Sequence, residues 1–255
     1  MKLRIGIIFG GFSREREVSF AGGRTVYDNL NKSLFEPVPL FVDSFGNFVI
    51  LNWKYIYKGS IRDFYPPVNH LPNTPHNFQV YAESLKGVDS IKMLKEIGTP
   101  IKIEDLGSKI DFAFLCLHGS GGEDGSIQGM LDYYKIPYSG SGIFSSALGM
   151  NKAIQRHWMQ NSGFEIPDFL IVKREDGLNT SKTKRLHEAV KSGMGIPCVI
   201  KPANQGSSIG ATVLTATDYN SFESAILKSF FVRKLSAAEW KDLGEGQVNY
   251  VRELS

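Results

Sequence analysis

A lysine and a loop rich in glycine and serine follow an apolar segment in the second half of the chain. Residues 196–199 (IPCV) lead into IKPANQGSSIG at residues 200–210, and the apolar run ATVL at residues 211–214 comes next. Such a loop can direct backbone N–H groups, hydroxyls and the Lys201 ammonium toward an anion, which is what polyphosphate binding requires. The order of the residues excludes a P-loop. A β-hairpin with a Gly- and Ser-rich turn is the alternative that this segment alone leaves open.

Two glutamates follow the first apolar segment. LRIGIIF at residues 3–9 predicts a buried strand of a parallel sheet, and GGFSREREVS at residues 10–19 follows it. Ligands of open α/β sheets bind at the carboxyl ends of the strands, so Glu15 and Glu17 indicate a cationic guest such as an ammonium group. The alternative is that both carboxylates only complement the first turn of a helix.

A histidine follows a third apolar segment. FAFLCL at residues 112–117 predicts another buried strand, and His118 opens a glycine-rich loop. Apolar residues at helical spacing then predict a helix from near Asp124, a residue type that suits an N-cap. A hydrogen-bonded structural histidine is the alternative for His118 alone. Three polar loops at three strand ends together favour a binding site.

These motifs together resemble those of the D-alanine–D-alanine ligases, which are ATP-grasp enzymes of peptidoglycan synthesis. The matching stretches lie in the family's order over about four-fifths of the chain: GGFSREREVS at 10–19, HGSGGEDGSIQGMLDYYKIPYSGSG at 118–142, SSALGMNK at 145–152 and IKPANQGSSIG at 200–210. The combination is specific, although each stretch alone is weak. D-alanine–D-lactate ligases share most of these motifs and stay an alternative.

The resemblance implies that ATP phosphorylates the carboxylate of one D-alanine and that the amine of a second D-alanine attacks the acyl phosphate. The products are D-alanyl-D-alanine, ADP and phosphate. By the same resemblance, Glu15 holds the ammonium of the first D-alanine, Val18 and His118 contact that substrate, and Ser207 lies between the substrate and the γ-phosphate. The positions that the resemblance gives to the nucleotide are Lys152, Lys201, Gly206 and Ser208. Without the resemblance, Lys152 would be interpreted as a solvated helix lysine.

The C-terminal part of the chain departs from the family pattern. ATP-grasp enzymes hold two Mg²⁺ ions through an acidic residue and a Glu-x-Asn signature, and no glutamate after Gly210 has Asn two residues later. The hinge that binds adenine has no match either. We therefore expect the C-terminal catalytic lobe to be absent, the metal ligands to lie beyond residue 255, and the chain alone to be inactive. A complete, non-catalytic ATP-grasp-like binding module is the alternative.

The composition is that of a globular protein with room for two domains in its 255 residues. The net charge of +3 is too small to indicate a nucleic-acid partner, and no apolar run is long enough to indicate a membrane span. Cys116 and Cys198 lie in apolar runs, which predicts two buried thiols. We expect a cytoplasmic enzyme whose partners are the small molecules D-alanine and ATP. A homodimer is left open.

The predicted fold is α/β. Residues 1–142 are expected to form a Rossmann-like (pre-ATP-grasp) parallel-sheet domain that binds D-alanine. Residues 143–255 are expected to form a bridging helix and part of the smaller nucleotide lobe of an ATP-grasp fold. Residues 45–105 are irregular and can be an insertion.

Several finer elements are also predicted from periodicity. One face of the first helix is expected to carry Val18, Ala21, Thr25, Val26 and Leu30. One later helix is expected to carry Phe144, Ala147, Leu148, Ile154 and Trp158. Further strands are predicted at 36–42, 45–51 and 168–173, and further helices at 184–192 and 218–231. His70 and His76 are predicted to be solvated.

Overall fold

A computed structural model of the chain describes residues 2–71, 82–85, 87 and 89–242. The chain forms two compact units, Met1–Met150 and Asn151–Ser255. The sequence-based boundary lay between residues 142 and 143, inside the first of these units. Each unit has its own buried apolar cluster.

The first unit is a sheet with helices on both sides. Its strands are β1 (Leu3–Gly10), β2 (Phe35–Val42), β3 (Phe48–Leu51), β4 (Gly98–Ile101) and β5 (Phe112–Leu115). Its α-helices are α1 (Arg16–Asn29), α2 (Ser90–Ile97), α3 (Ser126–Tyr133) and α4 (Ile143–Met150). Short 3-10 turns cover Trp53–Tyr55, Ile61–Asp63, Val68–His70, Ala82–Ser84 and Ile103–Ser108.

The sheet has the strand order β4-β3-β2-β1-β5. Strand β1 pairs in parallel with both β2 and β5, whereas β3 joins β2 and β4 in antiparallel pairs. This confirms an α/β fold with a parallel sheet at its centre. The carboxyl ends of β1, β2 and β5 therefore lie at one edge, where ligands of open α/β sheets bind.

The continuous apolar run of β1 is explained by its burial on both faces. Ile7 and Phe9 belong to one apolar cluster, and Ile8 belongs to the cluster on the opposite face, as the alternation of side chains along a strand requires. All three side chains are fully buried. The predicted strands at 3–9, 36–42 and 112–117 are present, with β5 shorter than expected.

The helix face predicted from periodicity is only partly buried: Val26 and Leu30 pack against the core, whereas Ala21 and Thr25 are exposed. Val18 is 55% exposed, and the buried residues of α1 are Ser19, Phe20 and Gly23. The Phe20 ring packs on Phe9, at a centroid distance of 5.8 Å, and Gly23 lies so close to Phe9 that an added Cβ would be 2.6 Å from its ring. Aromatic packing on β1 therefore sets the rotation of the helix, which periodicity alone placed differently.

Two further expectations for the first unit need correction. His70 is not simply solvated, because its Nε2 lies 2.7 Å from a Glu96 carboxylate oxygen; His76 lies outside the described residues. Helix α3 begins at Ser126 with Gly125 as its N-cap residue, since the φ of +93° at that position favours glycine. Asp124 instead accepts hydrogen bonds from the loop before the helix and from Ser126 N.

The second unit is a two-stranded sheet surrounded by helices. Its strands are β6 (Cys198–Ile200) and β7 (Thr212–Leu214), which pair in antiparallel fashion. Its helices are α5 (Lys152–Asn161), α6 (Arg174–Gly177), α7 (Thr180–Ala189), α8 (Tyr219–Ser229) and α9 (Ala237–Asp242), and a π-helical turn covers Val190–Met194. Its buried cluster is formed by Val190, Leu214, Phe222 and Ile226.

Helix prediction in the second half of the chain was partly right. The helix predicted at 218–231 is confirmed as α8, whereas the helix predicted at 184–192 already begins at Thr180, because Asn179 caps it by accepting from Lys182 N. The single helix predicted across residues 144–158 is two helices. Asn151 separates them, and its side chain accepts from Ala153 N and Ile154 N at the start of α5.

Two other expectations for the second unit are wrong. Residues 168–173 form no strand, because no described segment pairs with them and β6 pairs with β7. Cys198 is only half-buried, since it lies in a two-stranded sheet. Cys116 is buried as predicted, and burial raises the pKa of its thiol to about 12. Among the described residues, no helix is both long and apolar enough to cross a membrane.

Candidate functional site

The loop after β1 is held by backbone and hydroxyl hydrogen bonds. Gly10 and Gly11 have φ values of +98° and +88°, which side chains rarely adopt and which turn the chain sharply at the end of the strand. Gly11 N donates to Val42 O at 2.8 Å. The Ser13 hydroxyl then accepts from Glu15 N at 3.0 Å, and Glu15 occupies the N-cap position of α1. These contacts place Glu15 at the carboxyl edge of the sheet.

Glu15 is buried and faces the loop that follows β5. Only 7% of the residue is exposed. A Cβ added to Gly119 would lie 2.9 Å from Glu15 Oε2 and would overlap the Ser13 hydroxyl. The two loops meet because β1 and β5 are parallel neighbours, with Ile8 opposite Leu115. The structure thus brings Glu15 to the loop of His118.

The loop from His118 to Gly125 is fixed by its own acidic residues. Glu123 Oε2 accepts from Gly119 N at 2.7 Å, and Glu123 Oε1 lies 3.7 Å from His118 Nδ1. Asp124 accepts from Gly121 N at 2.9 Å. Burial alone would raise the pKa of Asp124, but hydrogen bonds from Gly121 and Ser126 lower it. The His118 side chain is 38% exposed, so it can still reach a ligand.

Val18 lies in the first turn of α1, whose N-cap residue is Glu15. Its exposure of 55% means that the core does not use its methyl groups. Its side chain is therefore accessible to a ligand that carries a methyl group.

In the second unit, Lys152 is tied to the loop after β6. Its backbone N–H donates to Ala203 O at 2.8 Å, and its Nζ donates to Gln205 O at 2.5 Å. The lysine begins α5, where Asn151 caps the helix. The ammonium is therefore held next to the segment that continues into Gly206, Ser207 and Ser208.

The loop itself is a tight turn. Ser207 and Ser208 have left-handed φ values of +48° and +59°, and Ile209 N donates to Gly206 O at 3.0 Å. This turn lies within the longer loop, residues 201–211, that connects the antiparallel strands β6 and β7. The hairpin alternative is thus right about the architecture of this segment. Ser207, Ser208 and Lys201 are exposed residues.

Some parts of the site were not singled out from the sequence. Ser13, Glu123 and Gln205 position Glu15, His118 and Lys152, respectively. The Ser-x-Glu spacing at residues 13–15 is a recognisable turn signal, because a serine hydroxyl often accepts from the N–H two residues later. The contact between Lys152 and Gln205 has no local signal.

The part of the chain that the structure describes offers no metal site, and its cavity in the second unit lies apart from the two lysines. No group of three or more His, Cys, Asp or Glu side chains among the described residues is placed to hold a metal ion, so these residues do not fit a magnesium site. A cavity of about 530 Å³ in the second unit is lined by residues that include His157, Asp168, Phe169 and Met194. It contains neither the two lysines nor the serines of the 206–210 turn.

Family models match most of the chain. The model described as "D-ala D-ala ligase N-terminus" matches residues 4–141, and the model described as "D-ala D-ala ligase C-terminus" matches residues 158–233.

Curated relatives carry the corresponding name. The D-alanine–D-alanine ligase of Natranaerobius thermophilus is 32% identical over 209 residues, which are 82% of this chain and 52% of the relative. D-alanine–D-alanine ligase A of Escherichia coli K12 is 32% identical over 226 residues, which are 85% of this chain and 55% of the relative. The chain thus spans about half the length of the curated relatives it matches.

Solved structures share the fold. The D-alanine–D-alanine ligase from Coxiella burnetii matches with a TM-score of 0.67 and 21% identity, over 90% of this chain and 60% of that structure. The VanG D-Ala:D-Ser ligase from Enterococcus faecalis matches with a TM-score of 0.61 and 22% identity, over the same shares of the two chains. At these identities the likeness concerns the fold alone.

Proposed function

The chain belongs to the D-alanine–D-alanine ligase family, and from this membership we propose that it takes part in the ATP-dependent joining of two D-alanines for peptidoglycan synthesis. The observation that carries the proposal is the convergence of the buried Glu15 carboxylate with the His118 loop at the carboxyl edge of the sheet. We propose the cytoplasm as the place of the reaction, because the reaction consumes ATP and ATP is available there.

In this proposal the first unit binds one D-alanine. Glu15 accepts hydrogen bonds from its ammonium group, and a charge-assisted hydrogen bond of this kind contributes about 1.5–3 kcal/mol. Val18 packs near the methyl group, and His118 contacts the same molecule. The burial of Glu15 supports this role, since a carboxylate removed from water favours a cationic partner.

The second unit binds the triphosphate of ATP. Lys152 and Lys201 offset the phosphate charges, Gly206 and Ser208 contribute backbone N–H groups, and Ser207 contributes its hydroxyl between the substrate and the γ-phosphate. Phosphoryl transfer depends on positioning and on charge stabilisation more than on covalent help from the protein. The contact from Lys152 Nζ to Gln205 O supports the assignment, because it fixes an ammonium beside the turn.

The proposed chemistry has two steps. A carboxylate oxygen of the first D-alanine attacks the γ-phosphorus, and the bond to the β-phosphate oxygen breaks to release ADP. The amine of the second D-alanine then attacks the acyl carbon, and phosphate leaves from the tetrahedral intermediate. Mg²⁺ is included only because the resemblance to ATP-grasp enzymes implies it, since the described residues offer no site for it. Because no glutamate after Gly210 has Asn two residues later, we propose that the 255-residue chain alone does not complete the reaction.

The identity of the second substrate has more than one candidate besides D-alanine. D-lactate in place of the second D-alanine is the alternative from the sequence. The VanG neighbour is named a D-Ala:D-Ser ligase, which gives D-serine a place in the same test. All three alternatives use D-alanine as the first substrate, so the role proposed for Glu15 is the same in each.

The test measures D-alanine binding to the 255-residue chain by saturation-transfer NMR, with L-alanine as the stereochemical control. We expect binding of D-alanine in preference to L-alanine, and a loss of about ten- to a hundredfold in Glu15→Gln. Glu36→Gln is the matched control, because Glu36 lies on β2 outside the proposed site. Equal binding of both enantiomers, or equal affinity in Glu15→Gln, would remove the basis of the proposal.

A further inference from the structure

Glu123 contacts two groups of the His118 loop at once. Its Oε2 accepts from Gly119 N at 2.7 Å, and its Oε1 lies 3.7 Å from His118 Nδ1. The Glu123 side chain is 49% exposed, and the hydrogen bond that it accepts from Gly119 N fixes the orientation of its carboxylate. The second oxygen is thereby held beside one particular nitrogen of the imidazole ring.

At 3.7 Å the carboxylate is beyond hydrogen-bond distance of the ring nitrogen, so its charge is what favours one position for the proton of a neutral histidine. A neutral imidazole has one N–H donor and one acceptor nitrogen, and an ionised carboxylate can only accept. With the proton on Nδ1, the partially positive Nδ1–H group faces the Glu123 carboxylate. With the proton on Nε2, the lone pair of Nδ1 faces the negative charge of that carboxylate. The partner of one ring nitrogen thus sets the role of the other.

We propose that Glu123 is a positioning residue that keeps His118 in the Nδ1–H tautomer and leaves Nε2 as a hydrogen-bond acceptor. Glu123 acts through His118 and need not touch the substrate. Asp124 cannot replace it, because its carboxylate is already engaged by Gly121 N, Ser120 Oγ and Ser126 N.

The importance of this tautomer for substrate binding rests on the proposed function. An ammonium group donates hydrogen bonds and accepts none, so a site that binds one needs acceptors. The Glu15 carboxylate is one acceptor, and an unprotonated Nε2 on His118 is a second. The Nε2–H tautomer would instead offer a donor and would repel the ammonium.

The test reads the tautomer directly and needs no substrate. Long-range ¹H–¹⁵N correlation spectra of the ¹⁵N-histidine-labelled chain distinguish the two neutral tautomers at about pH 8.5, where an ordinary histidine is neutral. The signals of His118 are assigned by their loss in His118→Gln. We expect the Nδ1–H form to predominate in the wild type.

Glu123→Gln gives the sharpest comparison. The glutamine amide has a single acceptor oxygen, which Gly119 N–H retains, so its NH₂ group faces His118 Nδ1 and favours the Nε2–H tautomer. We expect the major tautomer to reverse in Glu123→Gln and to stay unchanged in Glu104→Gln, an exposed glutamate that lies 3.6 Å from Lys102. The same tautomer in the wild type and in Glu123→Gln would overturn the proposal, as would a predominant Nε2–H form in the wild type.

A second measurement separates this inference from the proposed function. D-alanine is added to the wild type, and the ¹⁵N shift of His118 Nε2 is followed; we expect it to move, and to move less in Glu123→Gln. A tautomer that reverses as expected without any response to D-alanine would contradict the proposed function and leave the role of Glu123 intact. Unchanged signals of the remaining histidines, His187 among them, show that the variant is folded.

Discussion

The hydroxyl oxygen of Ser19 accepts a hydrogen bond from the backbone N–H of Gly10 at 2.8 Å. This bond joins the first turn of α1 to the last residue of β1. Ser19 is fully buried, so no water can replace the hydroxyl. The contact fixes the start of the helix relative to the strand, and thereby the position of Glu15 between them.

Ser19→Ala is expected to destabilise the first unit by about 1–3 kcal/mol, because it leaves the Gly10 N–H buried without an acceptor. The measurement is hydrogen exchange of the amides of β1, which report the opening of the first unit. Ser33→Ala removes an exposed hydroxyl that bonds to Asn31, and it should change this exchange little. Equal exchange in the two variants would show that the Ser19 contact is not structural.

A second prediction concerns Arg4 and Asp111, which join the start of β1 to the residue before β5. Asp111 accepts from Arg4 N, Nε and Nη2, and these hydrogen bonds lower the pKa of its carboxyl from 3.8 to about 2. A depressed folded-state pKa means that the stabilisation is fully present above the unfolded value, near pH 4, and is lost as the pH falls through about 2.

Asp111→Asn tests this pH dependence. The difference in unfolding midpoint between the wild type and the variant should be constant above about pH 4 and should shrink between about pH 4 and pH 2. Asp105→Asn, at an exposed aspartate in the preceding turn, should give a smaller difference. A wild-type advantage that persists unchanged down to pH 2 would contradict the assignment.

The parallel sheet and the sheet-edge location of Glu15 and His118 were predictable from the sequence. The runs at 3–9 and 112–117 are apolar without alternation, as strands buried on both faces must be. Two such strands that end in glycine and polar residues place those residues at one edge of the sheet.

Other features depended on contacts between distant residues. The rotation of α1 follows from the packing of Phe20 on Phe9, and the residues predicted as a strand at 168–173 lack a described strand to pair with. The contact of Lys152 with Gln205 joins residues that lie 53 positions apart. Local periodicity carries no information about any of these, because each is set by tertiary packing.

The third prediction uses the close approach of Gly119 to Glu15. Gly119→Ala places a methyl group 2.9 Å from the Glu15 carboxylate and on the Ser13 hydroxyl, at a left-handed φ of +69°. We expect it to displace Glu15 and to abolish measurable D-alanine binding. Gly46→Ala introduces the same kind of strain at a φ of +83° with nothing within 4 Å, so it isolates the cost of the backbone conformation. Retained D-alanine affinity in Gly119→Ala would separate Glu15 from the binding site.

The fourth prediction compares the two lysines of the second unit. Lys152→Met and Lys201→Met should each weaken the binding of ATP by about ten- to a hundredfold, because each removes a charge-assisted contact to phosphate. Only Lys152→Met should also speed hydrogen exchange over residues 203–210, since the Lys152 ammonium donates a hydrogen bond to Gln205 O. Lys191→Met, at an exposed lysine of the same unit, is the control for net charge. Faster exchange in both variants would contradict a special role for the Lys152 contact.

The last prediction concerns the hydroxyl of Ser207, which we propose lies between the substrate and the γ-phosphate. Ser207→Ala and Ser207→Gly remove the same hydroxyl, but glycine also relieves the left-handed backbone at this position, where φ is +48°. Both variants keep the backbone N–H groups of the turn. Both should therefore bind ATP nearly as well as the wild type.

The two variants separate the role of the hydroxyl from that of the backbone when they are compared in any polypeptide that carries this sequence and has ligase activity. D-alanine-dependent phosphate release at saturating ATP should fall to a similar low level in both, because an interaction made in the transition state is missing from each. If Ser207→Gly retains turnover while Ser207→Ala loses it, the backbone of the turn matters and the hydroxyl does not. If ATP affinity collapses while turnover at saturation survives, Ser207 belongs to nucleotide binding alone. Equal loss of turnover with intact ATP affinity is the result that places the hydroxyl at the reacting phosphate.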